Sequence, residues 1–496
     1  MKKTLILMVA MAFTQLAVSA QTGVLPRTTA SAQNVDPVAV KQWVEEITRL
    51  PDTEIHHLMV VRHGNVIAEA HPAPFAAQDL HTLYSCSKSV VSLAVGIAID
   101  EGLLTINDRV ARFFPDKLPA VVCPELDSLT VRHLLTMSSG IVPDWEITER
   151  PDWLRVWLAK PFDEQGRFRY DNMCTFTLSA ILQRVTGRKL VDYVREKLFT
   201  PLGIKVFDWE ESPDGINTGA WGLRLQAESL AKLGILMVNG GNWFGRRIVS
   251  EQWIREASTK QINFKFPGDK VSEVNRGYGY QLWRCICPIA FRADGAYGQY
   301  IVMVPEKDLV VVVNGIAANQ YPELATIWNT LLPGVKDHDF AENTNDENEM
   351  RQTCMSTRLA TAGAASGAKL NKKLLNKTLK VERNPLGYKT ARLITDPADE
   401  RKLTLRITKA NGTVEEIVHL RDEWEIGTSA VAPPYIYDRK QDGRDLIAGI
   451  SGPFTVAGTF TPVGGGIALS TYYTSWIVRR TIRISKKGKV TVNTNY

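Results

Sequence analysis

The most constraining stretch of this chain is Ser85–Leu104, a long apolar segment that begins Ser85-Cys86-Ser87-Lys88. It reads as a helix otherwise built of Val, Ala, Ile and Leu, with Ser89, Ser92 and Gly96 letting neighbours pack closely and Gly102 suited to its C-cap. A lysine in the first turn of so apolar a helix needs a reason. Serine and lysine three positions apart share a helix face. A desolvated lysine there can take the hydroxyl proton as a neutral amine, with the positive end of the helix dipole behind the serine. The plainer reading is a capping serine with a snorkelling lysine. Ser-x-x-Lys recurs at Ser229–Lys232 and Ser366–Lys369. Ser366 lies among small residues that cannot hold it rigidly, and Lys232 on an amphipathic helix reads as a solvated face residue.

Two further segments suit the same chemistry. Tyr170-Asp171-Asn172 is the only Tyr-x-Asn in the chain. A phenol near a lysine can relay a proton, and Asn172 can hydrogen-bond both Lys88 and a substrate carbonyl. Ala293-Asp294-Gly295-Ala296 enters a strand region, where Gly295 would let a substrate lie against the edge. A backbone N–H there could pair with that of Ser85 as an oxyanion hole. Alone, each has a plain reading, a core tyrosine and a glycine turn.

In this order the segments resemble the serine β-lactamase and penicillin-binding-protein superfamily, most closely its class C-like branch, which includes esterases and nylon-oligomer hydrolases. Leu83–Leu103, Leu129–Ile141, Gly219–Trp243 and Gly298–Asn314 carry the likeness, which spans roughly residues 38–335. The resemblance implies that Ser85 is acylated, Lys88 is its base and Tyr170 carries the proton. It also implies that Asn172 orients and that the Ser85 and Ala296 N–H groups form the oxyanion hole. The family's third motif is usually Lys or His, then Ser/Thr, then Gly. Here Ala293-Asp294-Gly295 stands in its place, and no Lys-Thr-Gly occurs in the chain. Without that lysine, neutral or cationic esters and amides are favoured over β-lactams and D-alanyl peptides, since Asp294 would repel an anion if it faced the cleft. Strand alternation should point Arg292 away from the face that Ala293 lines. His133 reads as a packed helix residue.

The expected fold is α+β: an antiparallel sheet with helices over 37–335, followed by an all-β module over 370–496. Helices are expected over Pro37–Leu50, Asp108–Phe114, Leu129–Met137 and Glu228–Asn239, with helix signals from Phe176 to Phe199. Strands are expected on either side of His63-Gly64 and over Tyr278–Cys287, Gly298–Val304 and Leu309–Asn314. Residues 336–369 read as a linker, since Asp337–Glu349 holds six acids and Thr361–Ala368 only small residues. Lys402–Thr408, Val414–Leu420, Ile467–Ser470 and Arg479–Ser485 alternate as strands do.

Residues 1–20 carry Lys2 and Lys3, an apolar run and Ala-Val-Ser-Ala before Gln21. They read as a secretory signal peptide, followed by a flexible lead-in over 21–36, which implies export to a bacterial periplasm or the extracellular space. Cleavage would remove two lysines and lower the net charge from +6 to +4, too little for a nucleic-acid partner. From Asn371 onward, 21 Lys/Arg face 12 Asp/Glu. That excess reads as a solvated basic face, with contact to an anionic envelope polymer or membrane surface as the alternative. The six cysteines are expected to be free thiols, and Cys285-x-Cys287 lacks a second pair at zinc spacing. No cofactor or metal is implied. The expected activity is an exported serine hydrolase of small amides or esters. The alternatives are an idle cell-wall or glycan-binding protein, and a DD-peptidase or β-lactamase with an atypical third motif.

Overall fold

The computed structural model describes residues 23–494 except 145, 265–271, 320, 364–367, 434–449 and 451. The leader over 1–20 and Ser366 lie outside the described residues. The chain divides into two compact units: residues up to Ala70 with Leu83–Met355, and His71–Thr82 with Ser356–Tyr496.

The first unit is an antiparallel sheet with a core on each face. The elements that build the sheet and the site are, in chain order, α1 (Pro37–Thr48), β1 (Thr53–Arg62), β2 (Asn65–Ala70), α2 (Cys86–Asp100), α3 (Asn172–Thr186) and α4 (Ala227–Val238). These are followed by β3 (Trp283–Arg284), β4 (Phe291–Gly295), β5 (Gln299–Val304), β6 (Leu309–Ala317) and α5 (Thr344–Ser356). The strand order is β2-β1-β6-β5-β4-β3. β1 and β2 turn at His63-Gly64, both at positive φ, as two-residue hairpins require. Strand alternation divides the core. Met59, Val61, Ile301, Met303, Val310 and Val312 join the helices of one face. Leu58, Val60, Val302, Val311 and Val313 pack with α1 on the other. The α+β expectation holds.

Helix α2 runs through the first core with Cys86–Ala98 all buried, as a helix apolar all round must. Gly96 meets the indole of Trp253, where a Cβ would lie 2.3 Å from Cδ1. Helix α3 starts on the Asp171 cap, whose carboxylate accepts from Met173 N at 2.9 Å, and stops at Gly187 with φ 68°. His133 packs as expected: its Nδ1 accepts from the backbone N–H of Thr130 at 3.1 Å in a capping box.

Four expectations need correction. The lead-in over 21–36 is packed where it is described, with Leu25, Ala30, Ser31 and Val35 buried and Arg27 bridged to Val66. Lys232 is 4% exposed rather than solvated. Its ammonium donates to the Gly23 carbonyl and, at 3.4 Å, to that of Gly203. The segment read as a linker contains α5, because Glu347, Met350 and Cys354 share one helix face and are buried. Glu347 there accepts from both Ser31 N and Ser31 Oγ at 2.8 Å. Of the strand expected over Tyr278–Cys287, only Trp283–Arg284 joins the sheet, while Tyr278 makes isolated bridges to Ile262 and Trp283. All six cysteines are free.

The second unit is a nearly barrel-shaped sheet. Its strands are β7 (Thr378–Lys380), β8 (Tyr388–Thr395), β9 (Lys402–Lys409), β10 (Val414–Arg421), β11 (Glu425–Ser429), β12 (Phe454–Val463), β13 (Gly466–Tyr473), β14 (Val478–Ile484) and β15 (Val490–Thr494). They run β7-β8-β9-β10-β12-β13-β14-β15, with β11 paired to β12. A parallel bridge between Val381 and Val490 joins the two ends. Such closure leaves few exposed edges. Leu393, Leu405, Phe460, Leu469 and Ile482 are among the buried residues of its apolar core. No helix of the described residues is long and apolar enough to cross a membrane.

The Gly96–Trp253 packing is testable. Gly96→Val forces extra carbons onto a fixed indole, so overpacking is expected to cost about 1–3 kcal/mol. Thermal unfolding followed by circular dichroism measures it, and an unchanged midpoint would contradict the packing.

Candidate active site

Ser85 is the N-cap of α2, yet its hydroxyl makes no capping hydrogen bond. The turn that delivers it is unusual: Tyr84, just before it, has φ 45°, a costly conformation for a bulky side chain. One turn into α2 stands Lys88, 1% exposed. Its Nζ has three oxygen partners, each at 2.8 Å: Ser85 Oγ, Asn172 Oδ1 and the Ala220 carbonyl. Three elements therefore converge on one nitrogen: the start of α2, the start of α3 and the loop before β-paired Leu223.

The chemistry of those partners assigns their roles. A neutral amine has two N–H donors and one lone pair. The Asn172 Oδ1 and Ala220 carbonyl oxygens can only accept, so they take the two N–H groups. That leaves the lone pair directed at the one partner able to donate, the Ser85 hydroxyl. Burial, which penalises the charged amine, lowers the Lys88 pKa to about 7, against the opposing pull of the nearby Asp171 carboxylate. Asp171 is itself buried, which raises its own pKa, and it accepts from Trp157 Nε1 at 2.9 Å while capping α3.

Tyr170 lies beside this group, with Lys88 Nζ 4.9 Å from its ring centroid. Thus Ser85, Lys88 and Asn172 meet through direct hydrogen bonds, and Tyr170 flanks them. Where Gly295 is expected to make room for substrate, its close neighbours are the Leu83–Cys86 backbone and the Gln299 side chain. A Cβ there would lie 2.3 Å from the Leu83 carbonyl oxygen and 3.3 Å from Cys86 N. The missing side chain lets the end of β4 approach the turn that carries Ser85. Half-buried Ala296 follows in the next turn, and its carbonyl accepts from Gln299 Nε2 at 3.3 Å. The adjoining Tyr297, at φ 64°, meets Tyr84 edge to face with centroids 5.5 Å apart. Both turns are thereby packed against each other.

The expected orientation of Arg292 is found. Ala293 joins the core on the α2 face of the sheet, while Arg292 and Asp294 point to the opposite face. Arg292 is fully buried. Its Nε donates to Asp294 at 2.8 Å and one Nη donates to Glu273 at 3.2 Å. Asp294 is committed to this pair. Ala220 and Asp171 are the neighbours of the Lys88 amine that sequence reasoning missed. A backbone carbonyl has no side-chain signal beyond the flanking Gly219 and Gly222, both at positive φ.

A family model described as Beta-lactamase matches residues 55–326. The chain is similar to 6-aminohexanoate-dimer hydrolase of Paenarthrobacter ureafaciens, 27% identical over 357 residues covering 62% of this chain and 86% of that protein. It is also similar to esterase EstB of Burkholderia gladioli, 24% identical over 30% of this chain and 45% of that protein. Among solved structures, a penicillin-binding protein homologue from Caulobacter crescentus superposes with a TM-score of 0.50 at 19% identity. It covers 60% of this chain and 98% of its own, a likeness of fold.

The buried amine has a consequence for stability. Unfolded lysine keeps its proton to about pH 10.4, while folded Lys88 loses it near 7. Between those values the unfolded state binds more protons, so stability rises with pH. Urea midpoints for wild type are expected to gain, relative to Lys88→Met, between pH 7 and 10. Parallel curves would contradict this.

Proposed function

The chain belongs to the beta-lactamase family, and from that premise we propose that it cleaves a small amide or ester through a covalent intermediate on Ser85. The observation that supports this most is the 2.8 Å contact between a desolvated Lys88 Nζ and Ser85 Oγ, with carbonyl oxygens holding the other two sides of the amine.

In the proposed sequence Ser85 Oγ bonds to the acyl carbon as its proton passes to Lys88 Nζ. Backbone N–H groups of Ser85 and Ala296 receive the developing oxyanion. Tyr170, against the Lys88 amine, carries the proton on to the leaving group as its bond to the acyl carbon breaks. A water molecule then attacks the ester, giving its proton to the same base, and Ser85 Oγ recovers a proton as the acid departs. Asn172 anchors Lys88 and orients the substrate carbonyl. An amide is the preferred target, supported by the longer match to the 6-aminohexanoate-dimer hydrolase, with esters close behind. Alanine stands at 293 where the family usually has a lysine or histidine, and Arg292 is already paired with Asp294, which favours neutral or cationic substrates over anionic ones. Export is part of the proposal and rests on residues 1–20.

A fluorophosphonate probe followed by intact-mass measurement is expected to add one adduct to the wild type and none to Ser85→Ala. Lys88→Ala is expected to lower kcat by roughly 10²–10⁴-fold. No adduct on the wild type would instead support the idle binding-protein alternative. Export predicts a secreted chain whose mass begins at Gln21.

A further inference from the structure

The two proposed oxyanion donors come from different elements: Ser85 from the turn before α2, and Ala296 from the loop between β4 and β5. Their spacing must be set by a residue that reaches both. Gln299, the first residue of β5, pairs with Gly295 across the hairpin and leaves Ala296-Tyr297-Gly298 as the loop. Tyr297 and Gly298 there have φ 64° and 86°. The backbone carbonyl of Gln299 accepts from the thiol of Cys86, the neighbour of Ser85, at 3.2 Å. Burial raises the Cys86 pKa well above its ordinary value, so the thiol keeps the proton it donates.

The Gln299 side chain is fully buried and turned under the loop. Its Nε2 has three carbonyl partners: Gly315 at 2.8 Å, Tyr297 at 3.2 Å and Ala296 at 3.3 Å. Its Oε1 accepts from Asn314 Nδ2 at 3.1 Å and from Gly315 N at 3.4 Å. Carbonyls only accept and a backbone N–H only donates, so these partners allow the amide one orientation. One N–H goes to Gly315, and the other is shared between Ala296 and Tyr297. Asn314 and Gly315 belong to β6, an interior strand between β1 and β5, which makes the anchor rigid. The direction of the Ala296 N–H depends on the peptide planes before and after that residue. The Gly295–Gln299 pair holds the first, and Gln299 Nε2 holds the carbonyl of the second.

We propose that Gln299 is the positioning residue of the oxyanion hole: its side chain fixes the Ala296 N–H, and its carbonyl ties that loop to the Ser85 turn, so both donors stand in place before the acyl oxygen arrives. This role exists only if the hydrolase reading above is right, and Gln299 itself touches no reacting atom.

The test uses the full chain and needs no identified substrate. The rate of Ser85 labelling by an ethyl fluorophosphonate is expected to fall about 10–100-fold in Gln299→Met, because a displaced donor no longer meets the developing oxyanion. Protection from that label gives two inhibition constants. For butylboronic acid, whose tetrahedral adduct on Ser85 places an oxygen in the hole, Ki is expected to rise by a similar factor. For butanamide, bound without a bond to Ser85, Ki is expected to change less than about threefold. Labelling rates and boronate Ki equal in wild type and folded variant would overturn the positioning role and leave the hydrolase. A butanamide Ki that rises as far as the boronate's would mark a merely structural residue and overturn it too. Should Gln299→Met fail to fold, nuclear magnetic resonance of the wild type decides. The Gln299 side-chain amide signals are expected to be the same with and without the boronate, while the Ala296 amide moves. Gln299 shifts as large as those of Ala296 would show a loop assembled by the ligand and overturn the role. A wild type that takes no label on Ser85 removes both readings.

Discussion

An amine taken out of water and held by three oxygens organises the first unit. Lys88 can occupy the buried first turn of α2 because two carbonyl oxygens accept its N–H groups and the Ser85 hydroxyl meets its lone pair. Burying a lysine as a charged ammonium without a well-placed counter-ion is costly. The surrounding packing therefore favours the neutral amine, the form that accepts a proton. Each supporting element has its own local cause. The Asp171 cap starts α3 so that Asn172 points to the amine, and glycines at 219 and 222 bend the loop that offers the Ala220 carbonyl.

The strand entry at 293–296 belongs to the same arrangement. Its alternation gives the cleft side an alanine and sends Arg292 and Asp294 through the sheet to pair near Glu273. Gly295 then lets the strand close on the Ser85 turn. Arg292 and Asp294 pair with each other, and the Arg292 guanidinium lies 5.9 Å from the Trp283 ring centroid.

Much of this was legible in the sequence because it depends on spacing along one segment. The i, i+3 relation of Ser85 and Lys88, the Gly187 stop of α3 and the His63-Gly64 turn are local signals. What was missed depends on partners distant in the chain. Lys232 lies on an amphipathic pattern, but its solvation is displaced by the Gly23 and Gly203 carbonyls. The acidic run around Glu347 hid a helix because only three of its residues face inward, one of them an acid bound to Ser31. The Tyr278–Cys287 run resembles a strand in composition, yet its aromatics Tyr278 and Trp283 pack around Phe168. Ala220 acts through its backbone, which no residue type announces.

The central claim is that folded Lys88 is a neutral base at the pH where the enzyme works. Nuclear magnetic resonance of the Lys88 side chain, with the remaining lysines resolved by comparison with Lys88→Met, measures its titration directly. The account predicts a midpoint near 7. A midpoint near the free-lysine value of about 10.4 would leave Ser85 without its base and contradict the account.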